Sequence, residues 1–112
     1  SVCKYIGIET NLEIFTEMDI VIEAANNPDE WALNICKAMG NVTEYWNPEG
    51  GFTFYDKSKY FSSGIDIKFL KINFEEYAQK CEIFQPGLSI IDVMMFNSPS
   101  RINEMLNNYT IL

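Results

Sequence analysis

The 112-residue chain is 47% hydrophobic and 14% aromatic, and sets 8 basic residues against 16 acidic ones for a net charge of −8. A chain of this length buries roughly 65% of its unfolded surface, so one core can form without a metal or a disulfide. The anionic field opposes phosphate backbones and anionic membranes, which argues against direct nucleic-acid or membrane binding and favours basic partners.

The longest apolar run, GLSIIDVMMF (87–96), is broken by Ser89 and Asp92 and falls short of the ~18 residues of a membrane span. The opening SVCKYIG has no charged region followed by a long apolar one, as a secretory leader does. Cys3, Cys36 and Cys81 are odd in number and contain no C-x-x-C pair. They predict free thiols and a cytoplasmic setting, without a zinc ribbon. Cys36 and Cys81 each fall in an apolar helical pattern, which predicts core packing for both.

Taken in chain order, CKYIGI (3–8) reads as a strand. Thr10 and Glu13 make a capping box, and Leu12, Phe15 and Met18 follow a helical stripe, predicting a helix up to Met18. Continued further, that helix would turn Asp19 and Glu23 onto its apolar face, so a break and a strand over DIVIEA (19–24) are expected. Asn27, Pro28 and Glu30 announce a helix over 28–39, with Trp31, Ile35 and Met39 on one face and Gly40 as its stop.

After the glycine pair, GGFTFY (50–55) reads as a strand, and IDIKFLKINF (65–74) alternates as a second. Asn73 and Glu76 predict a helix over 74–82. SIIDVMMF (89–96) has the continuous apolar character of a central strand. Ser98 and Pro99 open a last helix carrying Ile102, Met105 and Leu106, which ends at Asn107 and Asn108. The sum predicts an α+β (or α/β) fold: a single two-layer domain over 1–112, with a mixed sheet and about three to four helices.

Charge is unevenly placed. No lysine or arginine occurs from Tyr5 to Cys36, and the first 30 residues carry six of the eight net negative charges. Glu13, Asp29 and Glu30 fall in first turns of predicted helices, where the macrodipole favours them. Glu9, Glu17, Asp19 and Glu23 have no such reason. Glu9, Glu13 and Glu17 are spaced i, i+4, i+8, one arc if the helix reaches that far, and Asp19 and Glu23 share a strand face. The tract is either a solvated acidic face or a docking surface for a basic protein.

The segment YWNPEGGFTFYDKSKYF (45–61) holds seven aromatics. Some belong to the core. Tyr45 and Trp46, beside a Pro-Glu-Gly-Gly turn, are the expected exposed anchors. Lys57 and Lys59, the nearest thing to a basic cluster, read as solvated loop lysines.

There is no histidine, which removes the commonest general base and every imidazole metal site. No phosphate-binding glycine loop or nucleophile elbow occurs. YDKSK (55–59) has a spacing similar to the Tyr-x-x-x-Lys pair of short-chain dehydrogenases, but without their glycine fingerprint it carries nothing. No catalytic residue, cofactor or metal is therefore expected.

A short, acidic chain without catalytic motifs resembles the small bacterial toxin-immunity proteins of contact-dependent growth inhibition systems. That resemblance, one of overall character, implies a stoichiometric inhibitor of a basic nuclease toxin. Its partner-binding residues would be Glu9, Glu13, Glu17, Asp19 and Glu23, anchored by Tyr45 and Trp46. Two other readings stand beside it: a phage-type inhibitor mimicking nucleic acid, and a small-ligand or carbohydrate module built on the 45–61 aromatics.

Overall fold

In the computed structural model, which describes residues 2–112, the chain is α+β: five helices and a three-stranded mixed sheet occur among the described residues. The helices are α1 (Val2–Ile6), α2 (Glu30–Met39), α3 (Lys57–Ser62), α4 (Ile90–Phe96) and α5 (Pro99–Leu106). The strands are β1 (Glu44–Pro48), β2 (Asp66–Ile72) and β3 (Tyr109–Ile111), and two 3₁₀ turns lie at Phe15–Glu17 and Glu49–Gly51. The chain divides into two compact units. One contains Ile72–Thr110 and the N-terminal residues up to Leu12; the other contains Glu13–Lys71 with Ile111 and Leu112.

The sheet order is β1-β2-β3. β1 and β2 run parallel, with Glu44 opposite Asp66 and Pro48 opposite Leu70, and the crossover between them carries α3, as parallel pairing requires. The Asn73 N–H donates to the Asn108 carbonyl and the Leu112 N–H to that of Phe69, each at 2.9 Å. Those bonds step in opposite chain directions, so β3 runs antiparallel to β2.

The core of the Glu13–Lys71 unit consists of Leu33 and Cys36 from α2, Tyr60 from α3, and Ile65, Ile67 and Phe69 leading into and along β2. The predicted strand at 65–74 and helix at 28–39 are both present. The buried face of α2 differs, however: Leu33, Asn34 and Cys36 point inward while Trp31 and Met39 are exposed. Gly40, with φ +74°, closes α2 as expected.

Asp29 ties α2 to α3. It is buried, and its carboxylate accepts from the Lys59 ammonium at 3.1 and 3.3 Å and from the Asp56 N–H at 3.4 Å. Its carbonyl accepts the Tyr60 hydroxyl at 3.0 Å. Glu30 binds the same Lys59 at 2.8 Å and reaches back to the N–H groups of Asn26 and Asn27; the helix cap is Asp29, not the expected Asn27, and its side chain accepts no cap bond. Lys59 is thus half-buried and paired with two carboxylates, not a solvated loop lysine.

In the other unit, α5 is capped by Ser98, whose hydroxyl accepts the Arg101 N–H, and it buries Ile102. The Asn103 amide donates to the Ile6 carbonyl at 2.6 Å, fastening α1 to α5.

Six expected elements take other forms. Residues 3–8 lie in α1 and its stop, not a strand: Gly7 adopts φ +75°, its N–H bonds the Lys4 carbonyl, and the Ile8 N–H bonds that of Cys3. That is a Schellman stop. Gly64 and Ile65 end α3 identically, on Phe61 and Tyr60. Residues 50–55 wind through a 3₁₀ turn because the Gly51 carbonyl accepts from both Phe54 and Tyr55. A Cβ on Gly51 would lie 2.8 Å from the Asn47 side chain and 3.0 Å from the Tyr55 ring, so this turn needs glycine.

The segment 89–96 is helix α4, capped by Ser89, whose hydroxyl accepts the Ile91 N–H. Residues 74–82 form no helix and bend from residue 80: alternate residues Glu75, Tyr77 and Gln79 turn inward and are hydrogen-bonded, while Glu76 and Ala78 are exposed, as is Cys81, which the sequence pattern places in the core. Between 10 and 24 the only regular feature is the Phe15–Glu17 turn. A helix there would have no buried stripe to stabilise it, since Leu12, Ile14 and Phe15 all face solvent.

Two measurements test this packing. Tyr60 is 0% exposed and its neighbour Phe61 is 85% exposed. In urea denaturation Tyr60→Ala is expected to lose about 3–5 kcal/mol and Tyr60→Phe about 1 kcal/mol for the hydroxyl bond. Phe61→Ala should stay within about 0.5 kcal/mol of the parent; comparable losses at both positions would refute the assignment of the core.

The second uses pH. The Lys59 ammonium, then the Asn27 amide and the Asn26 N–H, hold the Glu30 carboxyl down at about 2 against an ordinary 4.5. A depressed carboxyl stabilises the fold above its unfolded pKa, and that contribution is lost as pH falls toward the folded value. Melting temperature should therefore fall more steeply between about pH 5 and about pH 2 in the parent than in Glu30→Gln.

Candidate functional site

The acidic residues lie where the chain has least regular structure. Glu9 is exposed in the unit formed by the N-terminal residues and Ile72–Thr110. Glu13, Glu17, Asp19 and Glu23 are exposed in the other. Without a helix over 10–18, the i, i+4, i+8 arc of Glu9, Glu13 and Glu17 does not form, and without a strand over 19–24, Asp19 and Glu23 share no strand face.

The far end of the segment is held in place. The Glu23 carboxylate pairs with Lys37 at 2.5 Å, and the Glu23 carbonyl accepts the buried Asn34 amide at 3.0 Å. Interleaved with the acids are exposed apolar side chains: Ile14, Phe15 and Val21, the last 95% exposed. The sequence stripe that suggested a buried helix face is, in the folded chain, an acidic and apolar outer surface.

The aromatic tract divides differently from expectation. Tyr45 turns inward from β1 and stacks on Tyr60 with ring centres 5.7 Å apart and planes 18° from parallel. Tyr55 completes the group at 6.1 Å from Tyr45 and 5.9 Å from Tyr60. Burial, then the neighbouring Tyr45 hydroxyl, pushes the Tyr55 phenol up to about 12, and burial raises the Tyr60 phenol further still.

Trp46 faces outward, as strand alternation demands. Its indole N–H donates to Glu44 at 3.1 Å, and the Lys68 ammonium, itself paired with Glu44, sits 5.3 Å from the ring centre. Of the two expected anchors only Trp46 is presented to solvent. Lys57 lies over the Phe52 ring at 4.2 Å.

The Ile72–Thr110 unit contains a polar network and a cavity that the residue pattern foreshadows only in the alternation of Glu75, Tyr77 and Gln79. The extended residues 73–79 run beside α4 and α5. The Glu75 carboxylate is taken by Arg101 and by the Asn108 amide at 2.7 Å, and the Tyr77 hydroxyl donates to Asp92 at 2.5 Å, where Gln79 also donates at 3.2 Å. Desolvation, then the Asp92 carboxylate, raises the Tyr77 phenol above its ordinary range. Between this segment and the two helices lies a cavity of about 120 Å³. Period-two alternation of Glu75, Tyr77 and Gln79 is its one sequence trace.

Among the described residues no three His, Cys, Asp or Glu side chains are gathered as metal ligands would be, and no helix is long and apolar enough to cross a membrane.

No curated protein and no solved structure matches the chain. A family model does, across residues 1–104, and its description is the WbqC-like protein family. With nearly the whole length matched, the chain belongs to the WbqC-like protein family.

Proposed function

We propose that this chain is a non-catalytic, cytoplasmic binding protein, and that residues 13–23 form its docking surface for a basic protein. The observation that carries the reading is the exposure of Ile14, Phe15 and Val21 among Glu13, Glu17, Asp19 and Glu23. Solvated acidic faces need no large apolar side chains. Docking surfaces use both: carboxylates steer a basic partner and raise the association rate, while desolvated apolar anchors supply most of the affinity. The absence of histidine supports binding over acid–base catalysis. A nuclease toxin is the partner that this chemistry and the acidic character of the chain fit best, which would make the protein a stoichiometric inhibitor.

The test is affinity capture from the native cell at low and moderate salt, with a Glu17→Lys/Asp19→Lys variant run beside the parent and circular dichroism confirming its fold. Glu23 is left in place because it holds Lys37. One basic protein should be retained by the parent, with affinity falling at least about tenfold in the variant and declining with salt. An Ile14→Ser/Val21→Ser variant should lose binding without that change in salt dependence. Equal retention by parent and charge-reversed protein sinks the proposal.

A further inference from the structure

The cavity beside α4 and α5 has a floor, a wall and a mouth. Ile102, 1% exposed, forms the floor; Val93 and the Tyr77 ring form the wall; Phe74 and Leu88, both exposed, stand at the opening. The mouth is shaped by Gly87. Its φ of +70° turns the chain, and the Phe74 ring lies 3.5 Å from where a Cβ would be.

The polar groups around this space are already occupied. Glu75 is bound by Arg101 and Asn108, and the Tyr77 hydroxyl is bound to Asp92, away from the cavity. Among the described residues no buried side-chain nitrogen or oxygen lacks a partner. The mostly apolar lining offers a charged ligand little to replace its water. An apolar one needs no such replacement, because a mostly apolar cavity holds water poorly, and dry cavities of about 150 Å³ take up benzene.

We infer that this cavity is a binding site for a small uncharged hydrocarbon group, about the size of one aromatic ring, entering between Phe74 and Leu88. The occupant is a free small molecule of that size, since about 120 Å³ leaves room for one ring and little more. The Tyr77 ring, held edge-on to Phe84 at 5.3 Å and fixed by its bond to Asp92, gives the wall a rigid aromatic surface. Nothing in this site involves the acidic segment, so it stands or falls independently of the docking surface.

Benzene is the probe, added to the whole chain near its solubility limit, with benzoate as the charged control. Benzene is expected to raise the melting temperature and to shift the methyl resonances of Val93 and Ile102, and benzoate to do neither. Leu88→Trp fills the mouth at an exposed position and should weaken benzene binding at least about tenfold. Val93→Phe, which fills the wall, should do the same and serves if the first variant folds poorly. Methyl shifts confined to Val93, Ile102 and their neighbours, lost in either variant, establish the site. No shift in the parent, equal shifts in parent and filled variants, or equal binding of benzoate overturns it.

Discussion

A buried carboxylate is costly unless its charge is matched, and the Asp29 carboxylate is matched by two groups while a third binds its carbonyl. Lys59 supplies the counter-charge, the Asp56 N–H a further bond, and Tyr60 closes on the backbone carbonyl of the same residue. Two helices distant in sequence are thereby locked at one point. Because α3 lies in the crossover between β1 and β2, its position also bears on the parallel pairing that sets Tyr45 over Tyr60. Removing either partner would leave a buried charge or an unpaired carbonyl, so the clamp specifies one arrangement even where its net stabilisation is small.

The elements legible in the sequence are those with punctuation at both ends. The helix after Asn27 has a proline, a back-reaching glutamate and a terminal glycine, and the last helix has Ser98 and Pro99. β2 has a strict alternation through Ile65, Ile67 and Phe69. Where apolar residues ran together, composition could not separate strand from helix. Residues 89–96 show this: Ser89 followed by Asp92 is a cap pattern, yet the apolar run between and beyond them reads equally as a buried strand. The Gly-Ile pairs at 7–8 and 64–65 are a second lost signal. Both are helix stops in which the residue after glycine turns back toward the protein, and Ile65 enters the core.

The opposite error, helix assigned to extended chain, has one cause in both places. Capping patterns at Thr10–Glu13 and Asn73–Glu76 describe how a helix begins, not whether it has a face to bury. Over 9–24 no such face exists. Over 73–79 the side chains that turn inward are every second one, and each is satisfied by a specific polar partner instead of by helix packing. Of the candidate site, exposure of all five carboxylates and of Trp46 could be read in advance. The inward turn of Tyr45 could not, since strand phase at Glu44–Pro48 depends on pairing with β2.

The two surfaces singled out follow from the same imbalance. A chain with 16 acids and 8 bases cannot neutralise every carboxylate, and Lys59 and Arg101 are spent on the ones that burial makes costly. Lys59 goes to Asp29 and Glu30, and Arg101 to Glu75. Glu17 and Asp19 remain on an irregular segment among exposed apolar groups, a combination that gains most by meeting a basic, partly apolar surface. In the Ile72–Thr110 unit, by contrast, Glu75, Tyr77 and Asp92 pair with one another's neighbours, and the space beside them is left with a mostly apolar lining. Exposed charge on the Glu13–Glu23 segment and full pairing at Glu75, Tyr77 and Asp92 thus point to two different kinds of ligand.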